Sequence, residues 1–132
     1  PYLETLKSWR SRHALQVMQN ARDLAGQMQQ CDLMITAGGS TVWQACCVGT
    51  PMLVLQTVDN QRLVIETLRE SDAALSLDVS ARPEENAGIA EDEFAEAFSQ
   101  SADMQIRNRL STNALQLVDG NGAVRVTDAL ES

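Results

Sequence analysis

Ala37-Gly38-Gly39-Ser40-Thr41 is the stretch of this sequence best suited to chemistry. Two glycines let a ligand approach the backbone closely, and where such a turn opens a helix the first N–H groups have no acceptor inside the helix. Those amides, together with the Ser40 and Thr41 hydroxyls, can donate to phosphate oxygens without any lysine. The same residues also suit a plain tight turn with Ser40 as N-cap, and neither a full dinucleotide fingerprint nor a P-loop is present. Gln44 falls in the first turns of the following helix, where its amide could reach a ribose hydroxyl of a docked nucleotide or simply face solvent. Asn60 and Gln61 follow the next apolar run and can either cap a helix or hydrogen-bond a sugar. Met18, Gln19 and Asn20 close the other side of the same cleft, where the backbone could read a base edge.

Other reactive residue types are poorly placed. His13 has the right intrinsic pKa for a general base, but it precedes the first expected strand. The glycine turn would then lie a strand's length away, at about 3.3 Å per residue, beyond the reach of proton transfer. Cys46 and Cys47 have no histidine near them in sequence and occupy a helix expected to face the core, so no catalytic residue is assigned. With Cys31 they read as buried free thiols of a reducing cytosol. One histidine and no C-x-x-C motif argue against a metal site, and nothing in the sequence calls for a cofactor.

The elements that must position these residues alternate between strand and helix. Tyr2, Leu3, Leu6 and Trp9 recur at helical spacing, and Ala14 to Met18 has strand character, followed by Asn20 as N-cap of a helix bearing Leu24 and Met28. Leu33 to Ala37 reads as a buried strand, broken by Gly38-Gly39. The next helix faces the core with Val42, Ala45 and Cys46, and Gly49 and Pro51 end it. Met52 to Leu55 begins a third unit, whose helix carries Leu63, Val64 and Leu68, and a last strand is expected at Ala73 to Leu77. An acidic loop then leads to a helix with Phe94 and Phe98. A long helix marked by Ile106, Leu110, Ala114 and Leu117 follows, and a short one bears Val126 and Leu130. Such alternation implies an α/β fold, a single Rossmann-like domain over residues 1–132 with a parallel sheet of about four strands. Its ligands should sit beyond the carboxyl ends of the strands.

The string CDLMITAGGSTVWQACCVGTP, from Cys31 to Pro51, resembles the C-terminal lobe of the PseG- and SpsG-like UDP-sugar hydrolases of pseudaminic acid biosynthesis. These are relatives of MurG and other GT-B glycosyltransferases. Val58-Asp59-Asn60-Gln61 and Leu117-Val118-Asp119-Gly120-Asn121-Gly122-Ala123 with Arg125-Val126 extend the resemblance in the same order. It implies UDP held between two lobes, with Gly39, Ser40 and Thr41 on the diphosphate, Asn60 and Gln61 on the sugar side, and Met18 to Asn20 near uracil. Where the family carries Trp-Glu to grip the ribose, this chain has Trp43-Gln44. The family's catalytic histidine belongs to the N-terminal lobe, so the resemblance implies UDP or a UDP-sugar and that lobe as partners, and no turnover by this chain alone. A glycosyltransferase donor lobe and a non-catalytic interaction module remain the alternatives.

Composition sets the outer limits. At 132 residues the chain can bury a core, and its formal net charge of −8, with Lys7 as the sole lysine, excludes long-range attraction to nucleic acid. No apolar run approaches the roughly 20 residues of a membrane span. The expectation is a cytoplasmic monomer or weak homodimer, with Pro1 in place of an initiator Met suggesting a segment of a longer chain.

Overall fold

The structure is a computed structural model that describes residue 16 and residues 18–80 and 91–132. The expected helix at Tyr2 to Arg12, His13, most of the Ala14 to Met18 strand and most of the acidic loop lie outside the described residues. Gln16 and Met18, which are described, carry no regular structure. The elements run in the order α1 (Leu24–Gln29), β1 (Met34–Ala37), α2 (Thr41–Val48), β2 (Met52–Gln56), a 3-10 turn (Asp59–Gln61), α3 (Arg62–Glu70), β3 (Leu75–Asp78), α4 (Glu91–Ala102), α5 (Met104–Leu117) and α6 (Gly122–Glu131).

The fold class is α/β: the described strands form a three-stranded parallel sheet in the order β1-β2-β3, flanked by helices. Met34 pairs with Met52 and Leu53 with Leu75, so all three strands point the same way and end at one edge. Parallel neighbours need crossover connections, which α2 and α3 supply. The central strand carries the apolar load, with Met52, Leu53 and Val54 fully buried. Most of the expected fourth strand, Ala14 to Met18, falls on residues outside the described set, so three is the number among those described. β1 is also less buried than its composition suggests, because Ile35 and Ala37 alternate outward while Met34 and Thr36 turn inward.

α2 inserts Val42, Ala45 and Cys46 into the core, as its spacing predicts. Gly49 ends it in the left-handed region at φ 74°, and a Cβ there would also meet Leu115 of α5 at 2.9 Å. The Thr50 hydroxyl, buried, donates to the Met28 carbonyl at 2.9 Å and ties α1 to the end of α2. A second tie holds α5: Arg109 Nε lies 2.6 Å from Asp72 Oδ2, and Asn113 donates to the Asp72 carbonyl at 3.0 Å.

Several sequence expectations need correction. The N-cap of α1 is Asp23, whose carboxylate accepts from the Gly26 amide at 2.8 Å, while Asn20 sits in the left-handed region at φ 54° and cannot take the extended N-cap conformation. The helix therefore begins at Leu24, later than an Asn20 cap would have it. In α3 the inward residues are Ile65 and Leu68, with Val64 partly buried against the core as expected, while Leu63 is 73% exposed because it lies about 140° around the helix from Leu68. β3 begins at Leu75 because Ala73 is taken up in closing α3, its amide donating to the Leu68 carbonyl.

Candidate functional site

The carboxyl ends of β1 and β2 deliver two loops to one edge of the sheet. Gly38 continues β1, its amide donating to the Leu55 carbonyl at 3.1 Å, and the chain then turns as the Gly39 amide closes onto the Ala37 carbonyl at 2.8 Å. The Gly39 and Ser40 carbonyls accept from the Val42 and Trp43 amides, so the helix begins immediately. Among the described residues the Ser40 and Thr41 amides meet no protein acceptor. The Ser40 side chain makes no capping bond, which corrects its expected role as side-chain cap and leaves its hydroxyl available to a ligand.

The two glycines do different work. Gly38 is buried, and a Cβ there would stand 3.1 Å from Ile65 Cδ1 and 3.2 Å from Gln61 Cβ. Its small size lets the turn and the second loop close together. Gly39 has nothing within 4 Å of where its Cβ would point, so the space over the turn is open. On the second loop the Thr57 amide and hydroxyl both donate to Gln61 Oε1, at 2.9 and 3.2 Å. That leaves Gln61 with only its amide N–H groups to offer a ligand, while Asn60 is exposed beside it.

Four positions of helix advance the direction by about 40° and the rise by about 6 Å, so Gln44 lies one turn above Ser40 on nearly the same face. Cys47 continues that stripe. It borders a cleft of about 550 Å³ between α2 and residues 117–125, with Trp43, Gln44 and Cys47 on one wall and Asp119, Gly120 and Arg125 on the other. Gly120, at φ 75°, allows the closest approach, since a Cβ there would fall 2.8 Å from Cys47 Sγ. Arg125 grips Asp119 with both terminal nitrogens, at 2.7 and 3.0 Å, and the Asn121 amide adds a bond at 3.0 Å. Those bonds, that of Arg125 first, hold the Asp119 carboxyl well below the usual carboxylate range, and Asp119 in turn raises the Arg125 guanidinium.

The structure thus brings Gly38, Gly39, Ser40, Thr41, Asn60 and Gln61 to one edge, with Gln44 one turn away. Met18, Gln19 and Asn20 are exposed and are not among the residues that line the cleft between α2 and residues 117–125. The sequence reading missed the cleft's far wall, although Leu117 to Arg125 carried part of the family resemblance. It also misplaced two thiols: Cys46 is buried, but Cys31 and Cys47 are exposed. Burial pushes the Cys46 thiol up to about 11, with Cys47 beside it acting in the same direction. Among the described residues no group of three or more His, Cys, Asp or Glu is placed to hold a metal ion, and no described helix is long and apolar enough to cross a membrane.

The chain is similar to the spore coat polysaccharide biosynthesis protein SpsG of Bacillus subtilis (strain 168), with 32% identity over 116 residues, which is 87% of this chain and 32% of that protein. The chain therefore spans about 32% of the length of the curated relative it matches. No family model matches the chain, and no solved structure does.

Proposed function

We propose that residues 1–132 form the UDP-sugar-binding domain of a two-lobed, SpsG- and PseG-like enzyme of polysaccharide biosynthesis. The observation that carries this reading is the Gly39 to Thr41 turn: open space over Gly39, and the Ser40 and Thr41 amides without protein acceptors at the head of an eight-residue helix. A diphosphate placed there would receive backbone N–H bonds and the favourable end of the helix dipole, which suits an acidic chain with few cations. The similarity to SpsG supports the polysaccharide setting. In the hydrolase reading, the second lobe supplies the base, water cleaves the sugar-phosphate linkage, and UDP leaves.

Titration of the chain with UDP, followed by backbone amide chemical shifts, tests the site. Shifts should centre on Gly38 to Gln44 and Asn60. Shifts confined to residues near α4, or no response at millimolar UDP, would remove the reading. Added UDP-sugar should remain intact in the presence of this chain alone.

A further inference from the structure

The stripe Ser40, Gln44, Cys47 leads along α2 from the glycine turn to the cleft that Gln44 and Asp119 both line, and in the nucleotide reading the pentose of a ligand anchored at Ser40 lies along that stripe. Gln44 on the near wall is neutral: one oxygen accepts, and its nitrogen only donates. The far wall holds a carboxylate whose acceptor capacity is not exhausted. Asp119 Oδ1 takes bonds from Arg125 Nη2 and the Asn121 amide, while Oδ2 takes one from Arg125 Nη1. A carboxylate oxygen offers two lone-pair directions, so Oδ2 retains one.

We propose that Asp119 is a specificity-determining residue of this site, accepting a hydrogen bond at Oδ2 from a hydroxyl of the pentose that Gln44 contacts. It supplies the anionic acceptor that the amide at position 44 does not. Three features fit that role. The bidentate pair with Arg125 fixes the carboxylate plane, so little side-chain freedom is lost on binding. Gly120 holds the segment against Cys47, which sets the width of the cleft. The hydrogen bonds on Asp119 keep it ionised through the neutral range, so it acts only as acceptor. A ligand bearing vicinal hydroxyls is thereby favoured over one lacking them.

This inference rests on the nucleotide reading above, and the test separates the two. UDP, its 2′,3′-dideoxy analogue and inorganic pyrophosphate are titrated into the native chain and into Asp119→Asn by calorimetry. The native chain should prefer UDP to the dideoxy analogue, and the substitution should reduce that preference about fivefold, the weight of one hydrogen bond, with pyrophosphate affinity unchanged. Failure of the native chain to bind UDP or pyrophosphate sinks the nucleotide reading itself. UDP binding whose preference survives Asp119→Asn, or an equal loss for UDP and pyrophosphate, overturns the role of Asp119 and leaves the nucleotide reading standing. Should Asp119→Asn not fold, the native chain still decides: UDP should move the Asn121 amide and Arg125 side-chain resonances more than the dideoxy analogue does, and equal movement overturns the inference.

Discussion

Gly39 and Gly38 are neighbours with opposite expected responses to alanine. At Gly39 a methyl meets nothing within 4 Å, and the backbone is not in the left-handed region, so Gly39→Ala should stabilise the chain by about 0.4–1 kcal/mol through the unfolded state. In the proposed placement that methyl would stand in the open space where the ligand's phosphate approaches the backbone. Displacing the phosphate from one charged hydrogen bond costs about 1.5–3 kcal/mol, or roughly 10- to 150-fold in UDP affinity. At Gly38 the methyl would press on Ile65 and Gln61 at 3.1 and 3.2 Å, and overpacking of that kind costs about 1–3 kcal/mol. Urea unfolding and UDP calorimetry on both variants read the two quantities separately. A Gly39→Ala protein that binds UDP as tightly as the native chain would refute the placement of phosphate at this turn, whatever its stability.

Gly120→Ala should destabilise by about 1–2 kcal/mol because alanine is strained at φ 75°, with a smaller further loss as the exposed Cys47 Sγ, 2.8 Å from the new Cβ, turns aside. In the double variant with Cys47→Ala only the backbone strain should remain, so unfolding experiments should show the two substitutions to be non-additive. Maleimide at pH 8 should modify Cys31 and Cys47 in the native protein and Cys46 only in denaturant, because Cys46 is buried and its thiol is held protonated; three rapid adducts by mass spectrometry would contradict the packing of α2. The Asp119 carboxyl is depressed, so the stability it contributes is present above the unfolded carboxylate pKa of about 3.9 and is lost as pH falls through its lower folded value. The Arg125 Nε–H resonance should therefore hold its position from pH 7 down to about pH 4 and move only in stronger acid.

The unit from β1 through α2 to β2 was legible because its punctuation is unambiguous. Gly38-Gly39 must break the strand, Gly49 is a left-handed helix stop, and Pro51 forbids continuation, so the apolar runs between them have only one reading. Where two residues could serve the same purpose, sequence could not choose. Asn20 and Asp23 both cap well in principle, and the choice fell to Asp23 because it alone stands three residues before an amide that needs its carboxylate. Leu63 groups with Val64 and Leu68 by its apolar type, yet five helical positions separate Leu63 from Leu68 by about 140°, so Val64 and Ile65 share the buried face with Leu68 and Leu63 does not.

The site divides along the same line. The turn and its donors are local, written within five residues, and their chemistry could be argued from types and spacing alone. The cleft is not local: Gln44 and Asp119 are 75 positions apart, and no pattern along the chain says that they share a cavity. What joins them is the packing of α2 on α5 and a single left-handed glycine that lets residues 117–122 lie against Cys47. Cys47 itself was assigned to the core together with Cys46 because both lie in a helix expected to face it. On a helix, adjacent residues are separated by about 100°, so burial of one predicts little about the next. Counting around α2 instead of along it separates Val42, Ala45 and Cys46, which face the sheet, from Trp43, Gln44 and Cys47, which face the cleft. The same helix therefore anchors the core with one face and borders the cleft with the other, the face that meets the nucleotide in the proposed reading. A substitution of Val42, Ala45 or Cys46 should act through stability, and one of the exposed Gln44 through ligand preference, while Trp43, which also packs against the core, should affect both.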